Sequence, residues 1–188
     1  MTGAPPAEGY RLLQNLASPI VAITTADGAR RNGCIVNSAV RASIAPLHPR
    51  LALHLHKFNL SHELVSRGGV FVLHLLRDDQ WELIHRLGFA SGRDRDKLAG
   101  LAWSAGATGC PILEECFAAF DCRVANRMDA GASTFFLGDV VDVRRGSGER
   151  IMTAAHFRAH LSPEWRREYE ANLRAAQARA DATAHIAS

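Results

Sequence analysis

The 188-residue chain lacks most of what would mark a membrane, secreted or nucleic-acid-binding protein. No apolar run approaches the roughly 20 residues of a membrane span. The opening "MTGAPPAEGYRLLQNLAS" has neither the basic start nor the apolar core of a secretory signal. A soluble, cytoplasmic protein is therefore expected. The formal charge is only +3 and the arginines are spread along the chain, so no nucleic-acid footprint stands out. Cys34, Cys110, Cys116 and Cys122 form no C-x-x-C pair, which argues against a redox dithiol or zinc ribbon and for free thiols in a reducing compartment. None of the 15 glycines completes a G-x-G-x-x-G between a strand and a helix, so a dinucleotide-binding crossover is excluded. A P-loop lysine signature, H-E-x-x-H and G-x-S-x-G are absent too.

What is present suits one domain over 1–188: 47% of residues are hydrophobic and 22% charged. Residues Glu8 to Leu16 predict a short helix, ended by Pro19. The β-branched run "IVAITT" closes on a turn at Ala26 to Gly28, with "RNGCIVNSAV" as the returning strand. "RLALHLHKF" alternates, putting Leu51, Leu53 and Leu55 on one face and Ala52, His54 and His56 on the other. "NLSHELVSRGG" reads as a short helix capped by Asn59 or Ser61 and closed by Gly68, ahead of the buried strand "VFVLHLL". Trp81, Ile84, His85 and Leu87 are spaced as a helix face, and "DRDKLAGL" continues as a second helical piece. β structure resumes from "CPILEECFAAFDCRVANRMD" to "GASTFFLGDVVDVRR", with Val124 and the stretch from Phe135 to Val143 the best strand candidates. A last helix, about 163–182, has Ser162 as N-cap and Pro163 in its first position. Strands joined by tight turns, with helices between them and at both ends, predict a mainly β antiparallel barrel with peripheral helices.

The stretch from Asn32 to Leu64 crowds small polar and imidazole side chains into this β region. Lys57 to Glu63 combines an ammonium, amide and hydroxyl donors and the free N–H groups of a helix start, which suits a phosphate. The bland alternative is helix capping with a solvated lysine. His54 and His56, with His74 from the next strand, have the spacing of a metal face, although hydrogen-bonded strand histidines are commoner. Arg86 serves either a ligand phosphate or an ion pair with Glu82.

Five segments in order resemble the flavin reductase-like, FMN-binding split barrels, from about Leu13 to Val143. They are "SPIVAITTADGARRNGCIVNSAVRASIAPLHPRLALHLH", "NLSHELVSRGGVFVLHLL", "LIHRLGFASGRDRDKLAGLAW", "GCPILEECFAAFDCRV" and "FFLGDV". Leu98 stands where the family has an aromatic. The resemblance implies a Greek-key split barrel with its core at about 13–143. It implies FMN, with FAD as the alternative, and NADH or NADPH as reductant. Val36, Asn37 and Ser38 would meet the flavin ring and ribityl chain, with Ser43 further along the loop. Lys57, Asn59, Ser61 and His62 would form the phosphate end, and Arg86 and Lys97 belong to a ligand-facing segment. Ala132 and Ser133 replace the family's Asp-His on the nicotinamide side, so no catalytic residue is assigned and no metal is needed. The expected activity is an NAD(P)H-dependent flavin reductase that supplies a separate monooxygenase. The alternative is an FMN-binding electron carrier or an auxiliary flavin-binding protein without nicotinamide-dependent activity. A homodimer is expected, its partner barrel covered by Tyr10 to Leu16 and Pro163 to Leu173.

Overall fold

The computed structural model describes residues 13, 16 and 18–184, so most of the helix expected at Glu8 to Leu16 lies outside the described residues. Among the described residues, nine strands and four helices follow in chain order. The strands are β1 (Val21–Asp27), β2 (Arg30–Val36), β3 (Ala39–Arg41), β4 (Arg50–His56), β5 (Val70–Leu75), β6 (Trp103–Ala105), β7 (Pro111–Leu113), β8 (Ala118–Asp129) and β9 (Ser133–Arg145). The helices are α1 (Leu60–Gly68), α2 (Trp81–Gly88), α3 (Ala154–His160) and α4 (Pro163–Ala184).

Seven strands form one antiparallel sheet in the order β2-β1-β5-β8-β9-β4-β3, and β6 pairs with β7 apart from it. "RNGCIVNSAV", expected to be one strand, is two, broken at Asn37 and Ser38. That break decides the architecture. β2 and β3 are the two edges of the sheet, yet only two residues separate them, and three Cα steps span at most about 11 Å. The sheet must curl until its edges meet, so it closes into the antiparallel split barrel.

The side-chain alternation of β4 holds, with Leu51, Leu53 and Leu55 buried inside. They pack with Val21, Ile23, Phe71 and Phe136 in the barrel core. β1 is buried on both faces: Ala22 turns outward into a second layer with Ile84, Leu87, Phe157 and Leu161, under the helices. A Cβ on Gly138 would meet Phe71 Cζ at 2.6 Å. Only glycine in β9 lets that ring fill the barrel.

Two local expectations need correction. Gly69, at φ 66°, ends α1, one residue later than expected, because the left-handed position falls there. "DRDKLAGL" is a run of turns and bends: Asp96 Oδ1 takes the Leu98 N–H at 2.9 Å and Gly100 sits at φ 73°, both of which oppose a helix. Helix α3, capped by Thr153, and strand β6 are each too short to leave a periodic signal in the sequence. The C-terminal helix starts as expected, with the Trp165 N–H on Ser162 Oγ at 3.2 Å.

Candidate functional site

β2 is an edge strand of the sheet, and two adjoining cavities run along it. The larger, about 300 Å³, is lined by Asn32 and Cys34 from β2, by Asn59 and Ser61 at the start of α1, and by Lys97 from the turns after α2. The smaller, about 130 Å³, is lined by Val36, Asn37, Phe157 and Tyr169. Ile35, Gly88 and Phe89 belong to both.

In the larger cavity Ser61 is fully buried, and its hydroxyl accepts the Asn32 amide at 2.9 Å. Asn59 occupies the N-cap of α1 but makes no side-chain cap bond. The amides of His62 and Glu63 bond back to the Asn59 carbonyl, and those of Leu60 and Ser61, as the first two of the helix, have no intrahelical acceptor. Lys97 is 4% exposed. Its Nζ donates to the carbonyls of Leu87 at 2.7 Å and Ala90 at 3.1 Å, which closes the C-terminal end of α2. Burial pushes the Lys97 ammonium below the usual lysine range, offset in part by Cys34 beside it. An ammonium has three N–H groups, so one remains for the cavity.

The other expected site residues lie elsewhere. Lys57 is held by Asp129, at 2.8 Å to both carboxylate oxygens. His62 shares a hydrogen bond of 2.8 Å with Thr134. Ser38 donates to the His54 carbonyl at 3.2 Å. Ser43 lies in the β3–β4 loop, on a separate apolar groove of about 760 Å³. Arg86 is not paired with Glu82. Its guanidinium donates to the carbonyls of Lys97 and Ala99 and so pins the turns that carry Lys97. Ala132 and Ser133 sit at the β8–β9 hairpin, where Ala132 accepts the Lys57 amide and Ser133 pairs with His56. They line neither cavity.

The imidazoles separate in the same way. His54 and His56 stack on Phe135 and Phe58 respectively, and burial lowers both pKa values. His74 is fully buried, and both its nitrogens are engaged by backbone, with Ala22 O at 3.3 Å and the Leu113 N–H at 3.0 Å. It is therefore not available as a third ligand beside the pair.

The chain matches the family model described as "Flavin reductase like domain" over residues 13–163. It belongs to that family. The chain is similar to a high molecular weight rubredoxin of Moorella thermoacetica, 33% identical over 149 residues, which are 78% of this chain and 64% of that protein. This chain therefore spans under two thirds of that relative's length. An FMN reductase (NADH) RutF of Pseudomonas syringae pv. syringae is 27% identical over 151 residues, 80% of this chain and 83% of the relative. Among solved structures, the NADH:FAD oxidoreductase SgcE6 of Streptomyces globisporus C-1027 superposes with a TM-score of 0.70 at 19% identity, over 81% of this chain and 92% of that one. That last likeness is one of fold.

The sequence did not reveal Asn32, Cys34, Ile35, Gly88 and Phe89 as cavity residues. Gly92 offered a signal for Asn32, since a Cβ there would meet the Asn32 amide oxygen. Recognising it requires the fold.

Proposed function

We propose that the chain is a flavin reductase that passes a hydride from NADH or NADPH to FMN, held along β2. The observation that carries this reading is the adjacency of the two cavities. One brings Asn59, Ser61 and Lys97 together; the other holds Val36 and Asn37. Their chemistry suits the two ends of one flavin. Lys97 and the amides of Leu60 and Ser61 would meet the phosphate, while Ile35 and Phe89 form an apolar wall between the ends. Bound FMN would supply a hydride acceptor, and the chain's task is to orient it and exclude water. Asn37 is exposed, so the ring end stays open to a second planar ring. The relative named FMN reductase (NADH) favours this reading over an electron carrier. FAD in place of FMN, and a monooxygenase as acceptor of the reduced flavin, belong to the same proposal at a finer level. Anaerobic mixing of the protein with FMN and NADH, then NADPH, is expected to bleach the flavin absorbance with at least one of them. No bleaching with either would sink the reductase reading.

A homodimer is part of the proposal. Val40, Ile44 and Leu47 are 52%, 90% and 86% exposed beside the apolar groove that Ser43 lines. Large side chains clustered in this way call for cover, and a second copy of the same loop supplies it in a closed, two-fold manner. Sedimentation at twice the chain mass is expected; a monomer at micromolar concentration counts against it.

A further inference from the structure

Helix α4 begins at Pro163, where the family match ends, so nearly all of it lies outside the matched span. Its inner face changes character along its length. Trp165 and Tyr169 pack into the outer core. One turn further on, Asn172, Ala175, Ala176 and Arg179 follow at the i, i+3, i+4, i+7 spacing of a single helical face, and all four line the larger cavity together with Asn59, Ser61 and Lys97. A helix that only buried itself would continue apolar along that stripe. Here small residues leave room and a guanidinium stands at the far end.

The cations around the site are not equivalent. Lys57 is held by Asp129, and Arg86 by two carbonyls. Two of the three N–H groups of Lys97 are spent on Leu87 and Ala90. Arg179 lies over the Phe58 ring, 5.8 Å from its centroid, and among the described residues no carboxylate pairs with it. Asn172 anchors the helix at the other end of the stripe, donating to the Phe89 carbonyl at 3.5 Å.

We propose that α4 is a wall of the flavin site and that Arg179, which lines the same cavity as Lys97, is the residue that recognises the flavin's terminal phosphate, a phosphomonoester. A guanidinium suits this task because its planar fork meets two phosphate oxygens at once. The inference rests on the flavin reading above and adds a residue from outside the family's common span.

The test is titration of FMN and of riboflavin, which lacks the phosphate, by fluorescence quenching with wild type, R179Q and R179K. Arg179 is exposed, so the variants are expected to keep the wild-type melting temperature. FMN should bind R179Q about tenfold more weakly or worse, R179K should recover part of the loss, and riboflavin affinity should stay within about twofold because it never met the guanidinium. Equal FMN affinity in wild type and R179Q overturns the role of Arg179 and leaves the flavin reading standing. So does a matching loss for riboflavin, which would mean the helix wall had moved. A wild type that binds neither flavin overturns the flavin reading itself.

Discussion

Replacing Lys97 by Met is expected to weaken FMN binding by about thirtyfold or more and to lower stability by about 2 kcal/mol. The two effects have separate causes. Methionine keeps the apolar stem of the side chain but removes all three N–H donors. The carbonyls of Leu87 and Ala90, now bonded at 2.7 and 3.1 Å, then lose their donor in a place that water reaches poorly, at about 1–3 kcal/mol for each group left unsatisfied. Relief from burying an ammonium acts in the opposite direction. Its size is limited because the group already has two carbonyl acceptors and a rim of cavity, so the net sign remains destabilising. The binding loss comes from the third N–H and the charge, which have no replacement at the floor of the cavity. Urea unfolding measures the first effect and FMN titration the second, with riboflavin as control. K97M that binds FMN as tightly as wild type would remove this cavity as the phosphate end.

Acidification from pH 6.5 to 4 is expected to cost the fold about 3 kcal/mol through His74 alone. The ring is fully buried in β5, and burial, offset in part by the Ala22 carbonyl, brings its pKa down from 6.5 to about 4. The Leu113 N–H donates to Nε2, so the single ring proton sits on Nδ1 and faces Ala22. Adding a second proton would set one N–H against another and leave a charge without solvent. Because the folded pKa lies below the unfolded one, the full stability is present above pH 6.5 and drains away as pH falls toward 4. Carboxylates such as Asp129, held low by Lys57, add their own acid dependence at lower pH. The comparison with H74Q removes that shared part. Urea unfolding at pH 7.5 and 4.5 should show a much steeper loss for wild type than for H74Q, whatever the variant's stability at pH 7.5. An identical loss in both would show that His74 stays neutral in the unfolded chain as well, or titrates freely in the folded one.

Much of the fold was legible because its signals are local. The alternation of Leu51, Leu53 and Leu55 requires only a period of two and a wet outer face. Ser162 and Pro163 mark a helix start by their own backbone chemistry. The motif order from Leu13 to Val143 carried the family. The limits are equally physical. Asn37 and Ser38 look like part of a strand because nothing nearby records that β2 and β3 belong to opposite edges of the sheet. The resemblance set Lys97 in a ligand-facing segment, but nothing local shows that it is buried, since the carbonyls that hold it belong to the end of α2 and the turn after it. Arg86 has Glu82 at the right helical spacing, yet the carbonyls of Lys97 and Ala99 hold it instead.

By itself the sequence determined a strand-led barrel, its inward faces, its terminal helix and a family whose chemistry concerns flavins, because each follows from residue types a few positions apart. Only the tertiary structure decided which polar residues share a cavity. It sent Lys57 to Asp129, gathered Asn59, Ser61 and Lys97, and laid Arg179 against Phe58, 121 positions earlier in the chain. The reason is that a charge goes where its partners and its solvation are best, and those are fixed by barrel closure and helix packing rather than by neighbours in sequence.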